Sequence, residues 1–360
     1  MNESASRLVF VMLFGQAVAQ AVYLEGDKIK FATCLRLPDN LPATLTTLTL
    51  KMEEVVGHKI NPSKIIISGT QTDLAELQKV SDNALFVPEE KALAAAERYL
   101  TTFFGEPTAI LDVGPSAYLD FFPSEDIARW LPFIVNLTDI ENHLGNKRRN
   151  LRVLPSDNYE YEIDQAVVRQ AIIKLGERDG KDFLEVATSM NVVVTGGMLV
   201  GMASMEDLIG AIVDSFYFSS GARIMKDSDN RLTLLGALLT EETIELDLST
   251  LQAVASILHL PGNVAKVEFR LQDKQVLNIN PGDIISLPVN VDEDVEIEVS
   301  QLKSSSRHTL HGGGSGIYID NRTRPLGLIA GSKDSLAKVL SWRKTFKTNS
   351  LIEEGNDITG

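Results

Sequence analysis

The sequence predicts an α/β fold that gives way to a small antiparallel β-domain near its C-terminal end, and three observations carry that prediction. Fully apolar runs that stop at acidic or glycine turns occur at Lys64–Ser68, Ala109–Val113 and Asn191–Val194, as buried strands do. Helix-periodic segments follow them at 73–79, 125–133 and 204–218. From about Asp247 the hydrophobic period shortens to two, the pattern of strands with one wet face. A chain of 360 residues has room for two or three such domains at roughly 150 residues each.

Composition narrows the function. A formal net charge of −15 argues against a nucleic-acid partner, because binding a phosphate backbone takes clustered Lys and Arg that displace counterions. The one basic run, Lys147-Arg148-Arg149 with Arg152, is expected to be a solvated loop. A single cysteine, Cys34, excludes an intramolecular disulfide and a Cys-rich metal site, and it fits a reducing, cytoplasmic setting. The five histidines show no HxxxH or HExxH spacing, so no histidine metal site is expected. The run Leu8–Phe14 before Ala17-Val18-Ala19 can be read as a short signal peptide. The alternating segments after it favour the competing reading, the opening strand of a sheet. No other apolar run nears the roughly 18–20 residues of a membrane span.

Taken in order, residues 8–37 read as three strands in an antiparallel meander, with turns at Gly15-Gln16 and Gly26-Asp27. Residues 44–56 suit a helix, 64–68 a strand and 88–102 a helix with acidic residues in its first turn, where they favour the helix dipole. Strand 109–113 is expected to turn at Gly114-Pro115-Ser116 into a return strand, 117–122, before helix 125–133. A polar segment, 136–158, leads to helix 159–175 behind the cap candidates Ser156 and Asp157. Strand 191–194, helix 204–218 and the apolar segment 232–239 close this part. Strands are expected at 265–271, 275–279, 284–289 and 295–299, a flexible Ser/Gly-rich loop at 304–316, a strand at 316–320, a helix at about 335–346 and a disordered tail.

Two turns could carry chemistry. Phosphate is held by closely spaced backbone N–H groups, which glycine turns supply, and magnesium by a carboxylate. Asp112, Gly114 and Ser116 could provide these, and Thr195-Gly196-Gly197 could let a nucleotide lie against backbone.

These residues and the order of the elements carry a resemblance. LDVGPSAYLDFF (111–122), IARWLPF (127–133), IDQAVVRQAI (163–172), VVVTGGMLV (192–200), RLTLLGALL (231–239) and GIYIDNRTRPLGL (316–328) resemble segments of the accessory protein family associated with glutamate mutase. That family belongs with the actin-like ATPases, sugar kinases and heat-shock chaperones. The resemblance implies an actin-like (ribonuclease H-like) core: a shortened first subdomain at 1–108, a second at 109–245, the β-domain at 246–330 and a helical or disordered tail at 331–360. It also implies ATP and magnesium as ligands, with Gly15, Asp112, Gly114, Ser116, Thr195, Gly196 and Gly197 at the nucleotide and Asp112 at the metal.

The departures change the expected function. Where the family's first phosphate hairpin has an aspartate and hydroxyls, this chain has Leu13, Gly15, Gln16 and Ala17. Leucine can neither coordinate nor hydrogen-bond, and Pro115 removes a backbone donor from the second turn. The expectation is therefore a non-catalytic or weakly nucleotide-binding pseudo-ATPase that acts by binding another protein, a cobalamin-dependent mutase or an assembly component. Two alternatives stand beside it: an active ATP-dependent reactivating chaperone of such a mutase, and a structural protein of a filament, pilus or secretion platform.

Overall fold

The computed structural model describes residues 8–15, 18–25, 28–37, 40–79, 81, 83–151, 153–178, 190–218, 221–246, 248–260, 266–270, 274–300 and 305–348. The expected tail beyond 348 lies outside them. The chain divides into two compact units, residues 1–105 with 229–250, and residues 106–228 with 251–360.

Unit 1 is built on a five-stranded sheet in the order β3-β2-β1-β4-β5. β1 (Leu8–Phe14), β2 (Val18–Glu25) and β3 (Lys28–Leu35) form the antiparallel meander. β4 (Lys64–Gly69) and β5 (Ala84–Pro88) continue the sheet parallel to β1. A meander followed by two parallel crossovers is the ribonuclease H-like arrangement of an actin-like half. The apolar run at 8–14 is thus the central strand, and it is apolar throughout because both faces are covered. Phe10, Met12 and Phe14 pack with Leu48 and Met52 of helix α1 (Leu41–Val56). Val9, Val11 and Leu13 pack on the other face with Ala92 of α3 (Glu89–Phe104) and with Leu234 and Leu238 of the helix Leu232–Leu239. Local chemistry sets the helix ends: the Asn40 side chain accepts from Ala43 N at 3.0 Å at the start of α1. A short helix, α2 (Gln71–Leu77), begins at Thr70 in the same way.

Unit 2 holds a six-stranded sheet in the order β12-β15-β9-β8-β7-β6. β6 (Thr108–Asp112), β7 (Asn191–Thr195) and β8 (Ala222–Asp227) run parallel. They repeat the β1-β4-β5 run of unit 1. Beyond β8 the sheet continues with β9 (Leu251–His259), β15 (Ile317–Asp320) and β12 (Ile284–Leu287). The small antiparallel sheet has the order β11-β10-β13-β14, with β10 (Lys266–Arg270), β11 (Lys274–Asn278), β13 (Asp294–Ser300) and β14 (Ser305–His311). The helix Lys333–Thr348 covers the expected 335–346.

Several expectations are corrected. The return strand at 117–122 is absent: residues 115–119 form a 3-10 turn and the chain continues as a loop to Pro123. Pro115 at its first position has a fixed φ and no N–H to give a ladder. β6 is consequently the edge of its sheet rather than a central strand. Helix 125–133 is one short helix, α4 (Ser124–Ala128), because Pro132 disfavours helical geometry just before it. The polar segment 136–158 contains helix α5 (Leu137–Arg149). Its last turn is the basic run expected as a loop, placed where cations favour the helix dipole. Lys147 is buried, donating to Val153 O at 2.7 Å and to Asp164 Oδ2 at 2.8 Å.

The capping pair at 156–157 does form. Asp157 Oδ1 accepts from Glu160 N at 2.9 Å, while Glu160 Oε2 accepts from Ser156 N at 2.7 Å, a reciprocal cap at the start of α6 (Asn158–Arg178).

The Ser/Gly-rich segment at 304–316 is β14 paired along its length with β13, followed by glycines in close contact. A Cβ on Gly312 would stand 1.8 Å from Asn290 O, and one on Gly313 2.6 Å from Ala255 N. These glycines let main chains touch. Gly312→Ala should therefore destabilise unit 2 by on the order of 2–4 kcal/mol, measured as a lower urea midpoint; an unchanged midpoint would contradict this packing.

Candidate functional site

The expected phosphate and adenosine turns of unit 2 meet at the carboxyl ends of three parallel strands, where α/β sheets place ligands. Asp112 ends β6, opposite Thr195 at the end of β7, and Asp227 ends β8. Thr195 donates its hydroxyl to Asp227 Oδ2 at 2.9 Å, and both residues are fully buried. Asp227 was not singled out in the sequence, although it is a strand-terminal aspartate like Asp112.

The two turns are stitched together by main-chain bonds. Val113 N donates to Thr195 O at 3.2 Å, and Met198 N donates to Val113 O at 3.0 Å. Gly196 has φ +88°, a conformation that favours glycine. A Cβ there would lie 2.2 Å from Asp112 Oδ1 and 2.6 Å from Val113 N. The Pro115 ring stands over Gly197, with Cδ 3.7 Å from where a Cβ would be. Gly196 is thus explained by one turn lying directly on the other, whereas a Cβ at Gly197 would make ordinary contact. Gly114 is extended, with φ −98°, and Ser116 is an exposed residue of the 3-10 turn.

The turn is braced from below. Arg148 of α5 donates from Nε to Tyr118 O at 3.0 Å and from Nη2 to Asp120 O at 3.1 Å. The Tyr118 ring faces Lys147, and Asp164 binds Lys147 and, at 2.6 Å, His143. Burial alone would raise the Asp164 carboxyl, but His143 and Lys147 hold it below the usual carboxylate range.

Gly15 belongs to unit 1. Its carbonyl accepts from Arg36 Nη1 at 2.9 Å, and Arg36 is clamped by Asp73 in a buried two-pronged pair. Gln16 and Ala17 lie outside the described residues. Leu13, in place of an acid, is a core residue; burying such a side chain contributes about 1.5–3 kcal/mol. Among the described residues no group of three or more His, Cys, Asp or Glu could hold a metal ion.

Asp112 is the one candidate metal ligand, and its environment disfavours charge. It keeps partial exposure and accepts no hydrogen bond among the described residues. Burial, with the Asp227 charge adding to it, pushes its carboxyl up to about 6 from 3.8.

No protein-family model matches the chain, and no curated protein sequence matches it. Among solved structures the chain is similar to the activator of the 2-hydroxyisocaproyl-CoA dehydratase from Clostridium difficile with bound ADPNP, at 15% identity over 65% of this chain and 93% of that chain, TM-score 0.38. It is similar to component A of the Acidaminococcus fermentans (R)-2-hydroxyglutaryl-CoA dehydratase, at 14% over 65% and 97%, TM-score 0.39. A ROK family glucokinase from Streptomyces griseus in complex with glucose and AMPPNP follows, at 10% over 64% and 97%, TM-score 0.39. Likeness at this level carries no argument about activity; the actin-like assignment stands on strand order. No helix among the described residues is long and apolar enough to cross a membrane.

The Asp112 environment gives a pH prediction. A carboxyl whose folded pKa lies above its unfolded one stabilises the fold fully below the unfolded value, and loses that contribution as pH rises through the folded value. The window here runs from about 4 to about 6. Asp112→Asn should raise stability above about pH 7 by on the order of 3 kcal/mol, and flatten the acid side of the thermal-unfolding profile. A variant that melts below wild type at that pH would contradict a buried, unassisted carboxylate.

Proposed function

We propose that this chain is a non-catalytic, at most weakly nucleotide-binding actin-like accessory protein that works by binding another protein, as a degenerate relative of the family associated with glutamate mutase. The observation that carries the reading is the contact between the two strand-end turns of unit 2. Val113 N and Met198 N are spent on joining the turns to each other, which leaves fewer N–H groups to face a phosphate. Burial and the neighbouring Asp227 push the Asp112 carboxyl beside them up to about 6, so a magnesium ion there would compete with a proton at and below that pH. Leu13 supports the same reading from unit 1. Residual binding of ATP through the Thr195-Gly196-Gly197 backbone is part of this reading.

Loss of one positioned metal-holding or charge-stabilising group costs about 3–4 kcal/mol in a transition state, a rate factor of hundreds or more. Titration calorimetry with ATP and magnesium should give at best a sub-millimolar affinity, with no phosphate release in a coupled assay. Asp112→Asn should leave affinity for the protein partner unchanged. Turnover that Asp112→Asn abolishes would replace this reading with the active reactivating chaperone.

A further inference from the structure

The open edge of β6 has no part in the nucleotide question. In unit 1 the corresponding strand, β1, lies between β4 and β2. In unit 2, β6 pairs with β7 and with no other strand among the described residues. The ladder tells which main-chain groups face outward. Val113 N bonds to Thr195 O, and Pro107 O accepts from Met190 N and Asn191 N. Alternate residues of a parallel strand serve one neighbour, so residues 109, 111 and 113 serve β7. Ile110 and Asp112 direct N–H and C=O to the open side, and neither has a backbone partner there among the described residues. Unpaired edges are templates for a further strand, and the usual guards, lysine and proline, are absent from TAILD.

We propose that this edge receives an extended segment of another protein, added antiparallel to β6 as β2 is to β1, with apolar alternate residues and acidic flanks. The proposal rests on reading the chain as a protein-binding accessory, and it names the surface and the chemistry of the partner. The sheet supplies the backbone pattern. The segment leaving β6 supplies apolar ground, with Leu119 59% and Phe121 75% exposed. Charge supplies the rest: Arg148 binds that segment at Tyr118 O and Asp120 O, Arg149 next to it in sequence is exposed, and Lys174 Nζ lies 3.5 Å from Asp120. These three cations outnumber the carboxylates of Asp112 and Asp120, and in a chain of net charge −15 such a local excess suits an acidic strand. A second copy of this chain would bring the same cations to the contact.

The probes are short labelled peptides of alternating valine and glutamate, and of alternating valine and lysine, titrated into the full chain by fluorescence anisotropy. The Val/Glu peptide should bind about tenfold more tightly than Val/Lys, and Ile110→Pro should weaken it by about tenfold or more, since proline removes an outward donor and blocks the strand beside it. Proline is tolerated at an edge whose N–H faces out; the far-UV spectrum of the variant checks this. Should the variant misfold, hydrogen exchange on wild type decides: the Ile110 and Asp112 amides should exchange freely alone and gain protection with the Val/Glu peptide. Absence of binding, binding without protection of those amides, or protection that arises from self-association alone would each overturn the proposal. All of these outcomes are independent of nucleotide binding, so the accessory reading and this surface fail separately.

Discussion

One contact governs unit 2: Gly196 pressed against Asp112 and Val113, so closely that no Cβ fits between them. A phosphate site at the ends of parallel strands needs space between its turns and N–H groups aimed into that space. Here the N–H of Val113 and that of Met198 are used to join the turns to each other. The missing return strand follows from the same region. With Pro115 opening a 3-10 turn, the chain is led away under the hold of Arg148, and β6 is left at the edge.

The segment 316–328, which carried part of the family resemblance, is an architectural joint. Asp320 and Asp214 are bridged by Arg322, which gives Nε to Asp320 Oδ1 and Nη1 to Asp214 Oδ1, each at 2.8 Å. Arg169 adds a bond to Asp214 Oδ2 at 2.9 Å, and Arg324 reaches Asp320 and the carbonyls of Val213 and Asp214. His259 accepts from Phe218 N through Nδ1, so its other nitrogen carries the proton toward Asp320 Oδ2 at 3.1 Å. Burial opposes the charge on Asp320, yet Arg322, His259 and Arg324 hold its carboxyl far below the usual range. Such a network ties β15 to the helix Met205–Ser215 in one register. Breaking one member would leave a buried charge unpaired, a cost of about 3–5 kcal/mol.

Most of the fold could be read from the chain because burial leaves a periodic trace. Strands covered on both faces, such as 8–14 and 191–195, are continuous apolar runs, and the cap at Ser156-Asp157 announced α6. What could not be read depends on distant partners. α5 looks polar because its inward face includes His143 and Lys147, whose burial depends on partners distant in sequence, Asp164 above all. β14 looks like part of a linker because it is serine-rich and runs into Gly312-Gly313-Gly314, and Gly312 and Gly313 serve close main-chain contacts rather than freedom. β12 alternates like the rest of the small β-domain, and only pairing with β15 assigns it to the larger sheet. At the site, Asp112 and the Gly196-Gly197 pair were visible as residue types, whereas their mutual contact and the second aspartate, Asp227, required strands β6, β7 and β8 side by side.

The central claim, that the strand-end turns are occupied by each other, is tested most directly by amide NMR of the full chain titrated with magnesium and a non-hydrolysable ATP analogue, following Gly114, Ser116, Gly196 and Gly197. Gly114 and Ser116 should stay unmoved, with any saturable change confined to the Gly196-Gly197 turn. Saturable downfield shifts at Gly114 and Ser116 would mean that phosphate enters between the turns, and would contradict it.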